Sequence, residues 1–179
     1  MIDLVRDISA ILRIDLDRWR GIASLGNHPL ARPPARGEWS ALDCLAHAVD
    51  TEVLFAERIH AILDGAEAFP AFDPAERAAS GSATADPVEL VARLARQRAI
   101  NEGLLEIVTE ADLDKGSRHA TLGPATLRQL LHHYPAHDLM HLVQAERALM
   151  QAYVPGTGPW RHYFADHDVE ADGRPTTTP

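Results

Sequence analysis

Four long segments of this 179-residue chain repeat their apolar residues at the spacing of an α-helix, and this pattern constrains the fold most. Gly26 and Pro29 end the first segment in the order that is usual after a helix. Ser40 with Asp43, and later Thr126, open the second and fourth segments as N-terminal caps. The segments span residues 2–25, 40–63, 86–108 and 126–153. The sequence therefore predicts four helices and no strand.

These helices predict an all-α fold, a four-helix bundle of the antiparallel type formed by residues 1–153. Residues 110–124 are expected to be a plain connector within it. Pro135 lies inside the fourth segment, where its ring removes one backbone hydrogen bond. We therefore expect either a bend at this point or two shorter helices in place of one.

Two segments outside the helices carry expectations of their own. The connector at 66–85 is rich in Ala, Ser, Gly and Pro, and a connector of this length is usually mobile or functional. Residues 154–179 form a C-terminal segment in which Trp160, Tyr163 and Phe164 are expected to pack on the bundle, ahead of a frayed polar end. Either segment is a candidate lid for a site between the helix ends.

The charge and the cysteine content exclude several classes of protein. The net charge is −9, with a single lysine and no basic run, which argues against a nucleic-acid partner. The single cysteine, Cys44, excludes an internal disulfide and favours a reducing compartment. The sequence has no signal-peptide pattern and no apolar run of roughly 18 residues, as a membrane span needs. We expect a cytoplasmic protein that does not bind membranes.

The fourth segment carries the strongest chemical signal, a row of histidines. His133, His137 and His141 are spaced by four residues, so a helix places them in one nearly straight row. Two imidazoles at i and i+4 can share a metal ion, although the Glu of the metalloprotease motif is missing here. They can equally be half-buried histidines that bond only to their neighbours. A zinc-type site with an open position usually needs a third protein ligand.

A longer pattern suggests where that third ligand lies. Trp39-Ser40 stands at a helix start, His47 follows seven residues after the serine, and His137-x-x-x-His141-x-x-Gln144 comes later. This combination resembles the DinB/YfiT-like superfamily of four-helix metalloproteins, over residues 2–152. In that family one histidine of the second helix and two of the fourth bind a divalent metal. The resemblance implies that His47, His137 and His141 are the metal ligands.

Periodicity alone would not select His47. At about 100° per residue, it lies roughly 160° from the centre of the apolar stripe of Leu45 and Val49, which places it on the outer face of the helix. Each helix of a bundle touches two neighbours, however, so a ligand on the side of a groove is permitted. The role of His133 stays open between a fourth ligand, a proton-handling group and a surface histidine.

The neighbours of His47 are also open to two readings. The nearby acids Asp43, Asp50 and Glu52 either orient an imidazole or form a solvated acidic face. Cys44 either contacts the metal or is a small buried residue that behaves as an apolar one.

The resemblance also implies a function. Three neutral imidazoles suit Zn²⁺, with Ni²⁺ and then Fe²⁺ as alternatives. The family implies a homodimeric, metal-dependent enzyme acting on a small-molecule substrate. It would be an S-transferase using a low-molecular-weight thiol such as bacillithiol or mycothiol, or a hydrolase. The alternatives are a non-catalytic, metal-binding or stress-related dimeric bundle, and a helical protein without a metal.

Overall fold

The computed structural model describes residues 2–69 and 85–168, and helices dominate both stretches. The helices are α1 (Asp3–Ala23), α2 (Asn27–Leu30), α3 (Ala41–Leu63), α4 (Pro87–Glu106) and α5 (Leu127–Met150). All four long helices begin and end within three residues of the predicted bounds. The prediction of an all-α four-helix bundle is confirmed. No helix in the two described stretches is long and apolar enough to cross a membrane.

The predicted start signals act as helix caps. The Ser40 side chain accepts a hydrogen bond from the backbone N–H of Asp43, whose carboxylate accepts one from the Ser40 N–H at 2.9 Å. Thr126 and Gln129 form the same reciprocal box at the start of α5. Each box satisfies two of the backbone donors that a helix leaves free at its first turn. These caps fix where α3 and α5, the two helices that carry the histidines, begin.

Consecutive long helices are not always neighbours in the bundle. Helix α3 packs against α4 and α5, and α1 packs against the same two helices. Helices α1 and α3 therefore occupy opposite corners of the bundle. Because α3 contacts two neighbours, its buried surface is wider than a single apolar stripe.

A buried polar layer divides the apolar core in two. One apolar cluster includes Leu12, Phe55 and Tyr134, and the other includes Trp19 and Leu142. Between them every long helix contributes a buried polar or charged side chain, and together these form the layer: Asp15, Glu52, Arg98, Asn101 and Asp138.

The expectation of a plain connector at 110–124 is wrong. Strands β1 (Gly116–His119) and β2 (Gly123–Thr126) form an antiparallel hairpin, which ends at the start of α5. Gly123 has φ +87° at the turn, and a Cβ on Gly116 would lie 2.8 Å from the carbonyl oxygen of Ala125. Strands of four residues are too short to show alternation, so the sequence pattern did not reveal them.

The remaining expectations have mixed outcomes. Helix α5 continues through Pro135, so the alternative of two shorter helices is wrong. Residues 154–164 form two short 3-10 helices that meet at a kink at Gly158, and Trp160 and Tyr163 in this segment are 63% and 71% exposed. The prediction that these two aromatic rings pack on the bundle is wrong. The frayed end and most of the 66–85 connector, with its role as a lid, lie outside the described residues.

Polar contacts explain how the C-terminal segment is held instead. The side chains of Arg147 and Gln151 both donate to the carbonyl oxygen of His167, at 3.1 and 2.9 Å. Arg161 pairs with the buried carboxylate of Asp168 at 2.7 Å. These contacts attach the segment to α5 while Trp160 and Tyr163 stay exposed and Phe164 is half-buried.

Candidate metal centre

The structure brings together the three histidines that the sequence pattern singled out. One side-chain nitrogen each from His47, His137 and His141 forms a group of three atoms that all lie within 4.8 Å of one another. The ring of His47 is centred 5.3 Å from that of His137 and 4.5 Å from that of His141. Residues about ninety positions apart in the chain thus meet across the contact between α3 and α5.

The outer position that periodicity assigned to His47 is wrong. The side chain is half-buried, against α5. The angular argument assumes one buried stripe per helix, whereas α3 packs against both α4 and α5.

The two histidines of α5 have the separation that a shared ion requires. Their Nε2 atoms lie 3.3 Å apart. Two nitrogens bound to one tetrahedral Zn²⁺ at about 2.05 Å each would lie about 3.3 Å apart. The ligand nitrogen of His47 lies within 4.8 Å of those of His137 and His141, so a small movement of the His47 ring would bring all three nitrogens to one ion. The donor set therefore fits a divalent cation.

A hydrogen bond orients the ring of His141 for this role. Its Nδ1 lies 3.0 Å from Oε1 of Gln144, one turn further along α5. Because an amide oxygen only accepts, Nδ1 carries the hydrogen and Nε2 keeps its lone pair directed at the cluster. Gln144 belongs to the sequence motif, and the structure places it beside the ligand candidates as an orienting residue.

Aromatic rings enclose the cluster on two sides. Trp39 stacks on His141, with centroids 5.6 Å apart and planes inclined by 22°, and meets the ring of His47 edge-on at 4.9 Å. Phe55 contacts His137 with centroids 5.8 Å apart. These rings limit the access of water to the imidazoles. Sequence reasoning had used Trp39 only as part of a family pattern and had not assigned Phe55 any role.

The comparisons with known proteins agree with this fold. Residues 17–145 match the family model described as the DinB superfamily. The chain belongs to the DinB superfamily. No match is found among curated protein sequences.

Three solved structures resemble this DinB-superfamily chain. YfiT from Bacillus subtilis, described as "a probable metal-dependent hydrolase with an unusual four-helix bundle topology", matches with TM-score 0.74 and 20% identity, over 83% of this chain and 86% of YfiT. A conserved protein from Enterococcus faecalis matches with TM-score 0.66 and 17% identity, over 84% of this chain and 98% of that one. A mycothiol-dependent maleylpyruvate isomerase matches with TM-score 0.63 and 15% identity, over 81% of this chain and 63% of that one. At these identities the likeness concerns the fold.

Burial keeps the imidazoles of this DinB-superfamily protein neutral. Desolvation, with a smaller contribution from His141, lowers the pKa of His47 to about 4. Desolvation and the neighbouring histidines lower the pKa of His137 to about 3. Desolvation also lowers the pKa of His141. A metal ligand must present a deprotonated ring nitrogen, so these side chains are in the required form at neutral pH.

The other candidates near the cluster have different roles. His133 is exposed, its ring is centred 5.2 Å from that of His137, and it is not part of the three-donor group. Asp43 belongs to the cap of α3. Cys44 is fully buried and burial raises the pKa of its thiol, so it behaves as an apolar residue. Glu52 is buried in the polar layer, so its readings as a solvated acid or an orienting acid are both wrong.

Sequence reasoning missed the polar layer that lies next to the cluster. Asp138 stands between the two histidines of α5 and accepts a hydrogen bond from Nε1 of Trp19 at 3.1 Å. Its other oxygen lies 3.1 Å from Nη2 of Arg98, which also pairs with Glu52 at 2.9 Å. The phenolic O–H of Tyr134 donates to Glu52. The sequence of each helix gives no sign that its charged residue is buried. Arg98, Glu52 and Asp138 are paired only by the tertiary packing.

Proposed function

We propose that this DinB-superfamily protein binds a divalent metal ion through His47, His137 and His141. We further propose that it is a metal-dependent enzyme of the low-molecular-weight-thiol S-transferase type. The observation that carries the proposal is the convergence of three neutral imidazoles from two helices, two of them with Nε2 atoms 3.3 Å apart.

The donor set favours particular metals. Three imidazoles without a thiolate or carboxylate suit Zn²⁺ and Ni²⁺, and Fe²⁺ less well. Three protein ligands also leave a coordination position for a substrate atom, which a purely structural four-ligand site does not. When bound, such a cation would lower the pKa of a thiol or of water at the open position to near neutrality.

The side chains around the cluster have separate tasks in this proposal. Gln144 holds His141 in one tautomer, and Trp39 and Phe55 form apolar walls that exclude bulk water. His133 lies on the exposed side of His137 and is the group that would carry a proton between solvent and the site. Substrate and thiol would enter from that side.

The relatives support thiol chemistry and leave one further candidate. The matched isomerase is described as mycothiol-dependent, and this chain covers 63% of its length. YfiT, matched over 86% of its length, is described as "a probable metal-dependent hydrolase". Hydrolysis is therefore the second candidate function, because the same open position would activate water as well as a thiol.

A reconstitution assay tests the proposal. Protein freed of metal with a chelator is reloaded with Zn²⁺, Ni²⁺ or Fe²⁺ and given an electrophile with bacillithiol, mycothiol or cysteine. A parallel assay follows hydrolysis of an activated ester. We expect thiol conjugation that requires metal, is lost in His137→Ala and is kept in His132→Ala, which removes an exposed histidine of the same helix.

The results separate the candidate functions. Metal-dependent ester hydrolysis without thiol conjugation favours the hydrolase. Metal binding without turnover in either assay favours the non-catalytic dimeric bundle. The homodimer and the cytoplasmic location stay predictions, which analytical ultracentrifugation and cell fractionation would test.

A further inference from the structure

Arg58 is a second buried arginine that, unlike Arg98, has no ion pair with a described residue. Arg58 of α3 is only 8% exposed, yet no carboxylate of residues 2–69 or 85–168 forms an ion pair with it. Arg98, which is 2% exposed, pairs with two carboxylates. A buried charge is costly unless it is paired, so an unpaired one needs another explanation.

The polar atoms of this guanidinium are poorly satisfied. Within the described part of the chain, Arg58 Nε is buried and has no hydrogen-bond partner. The guanidinium carbon lies 5.2 Å from the centre of the Phe69 ring, which attracts a cation but offers no acceptor atom. The Nη2 atom faces Nε2 of His119 on β1 at 3.3 Å.

The tautomer of His119 determines whether its Nε2 atom is a donor or an acceptor in the contact with Arg58. His119 Nδ1 accepts from the backbone N–H groups of Thr121 and Leu122, at 3.2 and 3.3 Å. Burial and the charge of Arg58 lower the pKa of His119, so the ring is neutral at pH 7. A neutral imidazole that accepts at Nδ1 carries its hydrogen on Nε2. In this tautomer both atoms across the 3.3 Å gap carry a hydrogen, so an acceptor atom beside them would satisfy both.

A third unsatisfied group lies on the same strand. Ser117 is 6% exposed, and its Oγ has no hydrogen-bond partner among the residues that the structure describes. Ser117 and His119 are two residues apart in β1, so their side chains project from the same face of the hairpin. Helix α3 and this face of the strand thus carry donor groups, on Arg58, His119 and Ser117, for which the described residues supply no matching acceptor.

This donor cluster is adjacent to the candidate metal centre. Phe55, one turn before Arg58 on α3, contacts the rings of both His133 and His137. The charge of Arg58 also contributes to the lowered pKa of each of these histidines. A molecule anchored at Arg58 would therefore extend past His133 toward the three-histidine cluster.

We propose that Arg58, His119 and Ser117 form an oxyanion-binding subsite that holds a carboxylate or phosphate group of the substrate. The Nε–Nη2 edge of a guanidinium matches two oxygens of such a group, and the His119 N–H and the Ser117 O–H supply further donors. The assignment to substrate rests on the proposed function, whereas anion binding itself does not. The enzyme would thus select anionic electrophiles or an anionic thiol.

An anion titration of the metal-free protein tests the subsite. Chelator-treated protein is titrated with acetate and with inorganic phosphate, against sodium chloride at equal ionic strength. The ¹⁵N signal of Arg58 Nε–H and the melting temperature report binding. We expect one or both anions to shift this signal and to raise the melting temperature. Stronger binding of acetate assigns a carboxylate, and stronger binding of phosphate assigns a phosphate.

Three variants make the result specific. Arg58→Gln should weaken the binding of the anion at least tenfold, as expected when a charge-assisted pair of hydrogen bonds is lost. Arg58→Lys keeps the positive charge but loses the two parallel N–H donors of the guanidinium, so it should weaken anion binding less than Arg58→Gln does. Arg118→Gln removes an exposed arginine of the same strand and should bind as wild type does. Circular dichroism verifies that each variant is folded.

The failure of this inference is distinguishable from failure of the metal proposal. If neither anion binds, or if Arg58→Gln binds as tightly as wild type, the subsite does not exist, whatever the metal content. If Arg58→Gln loses the anion but takes up as much Zn²⁺ as wild type, the subsite is supported as separate from the metal ligands. Absence of metal binding in wild type would remove the proposed function but leave the titration unaffected.

Discussion

Arg98 on α4 and Asp138 on α5 form an ion pair inside the bundle, with Nη2 and Oδ2 3.1 Å apart and both side chains almost fully buried. Asp138 stands between His137 and His141 in the sequence. The same guanidinium binds Glu52 on α3 and donates to the carbonyl oxygen of Leu12 on α1. One side chain of α4 therefore connects all the other long helices at the level of the histidines.

Removal of the Arg98 guanidinium should lower the stability of the protein. Arg98→Met leaves the carboxylates of Glu52 and Asp138 buried without their cation, and we expect a loss of about 3–5 kcal/mol in the free energy of unfolding. Urea unfolding followed by circular dichroism measures it. The control is Arg13→Gln, which breaks an exposed ion pair with Glu102 and should cost about 1 kcal/mol or less. Equal effects of the two substitutions would show that the polar layer contributes little.

Asp15 makes the polar layer sensitive to pH. Burial, followed by repulsion from Asp138, raises its pKa from 3.8 to about 6. Between these values the folded state binds more protons than the unfolded state, so this group lowers stability as the pH rises through that range. At 1.36 kcal/mol per pKa unit the cost above pH 6 is up to about 3 kcal/mol.

Asp15→Asn removes this titration. We expect the variant to be more stable than wild type at pH 7.5, with the difference disappearing below about pH 4. Urea unfolding at several pH values tests this. A variant that is less stable than wild type at pH 7.5 would mean that the pairing with Arg18 outweighs the cost of burial.

The metal-free protein should lose stability in acid because of the histidine cluster. The pKa values of His47 and His137 are lowered from 6.5 to about 4 and about 3. The unfolded state therefore takes up protons first as the pH falls below 6.5, and these two groups lower the free energy of unfolding toward pH 4. In His137→Gln the slope should be shallower by up to about 1.4 kcal/mol per pH unit. A slope equal to that of His132→Gln, the exposed control, would contradict the lowered pKa.

The same lowered pKa values predict how metal affinity depends on pH. Ordinary histidines compete with protons for a metal below about pH 6.5. Because His47 and His137 are already neutral well below that pH, we expect their protonation to have little effect on Zn²⁺ affinity at pH 6. Titration calorimetry at pH 6 in two buffers of different ionisation enthalpy should detect little proton release, because a metal-bound water with a pKa of about 7 also keeps its proton there. Release of one proton or more per ion would contradict the prediction.

The bounds of the long helices could be predicted because their signals are local. Capping pairs such as Ser40 with Asp43, and apolar residues at helical spacing, act within a few turns of chain. The pairing of His137 with His141 is local for the same reason. His47 required the family resemblance, because its position depends on α3 having two neighbours, which its own periodicity does not encode.

Features made by long-range contacts could not be predicted. The hairpin of Gly116–His119 with Gly123–Thr126 has strands too short to show a pattern. The ion pairs of Arg98 join residues 40 to 46 positions apart, and an isolated helix gives no reason to bury any of them. The prediction that Trp160 packs on the bundle failed because aromatic character alone does not determine whether a side chain is buried.

Metal content tests the central claim most directly. Wild-type protein and the variants His47→Ala, His137→Ala, His141→Ala and His132→Ala are loaded with Zn²⁺, dialysed against metal-free buffer and measured by elemental analysis. We predict about one ion per chain in wild type and His132→Ala, and at least a tenfold lower content in the other three, since each lacks one of three ligands. Equal metal content in wild type and all four variants would contradict a metal centre formed by these three histidines.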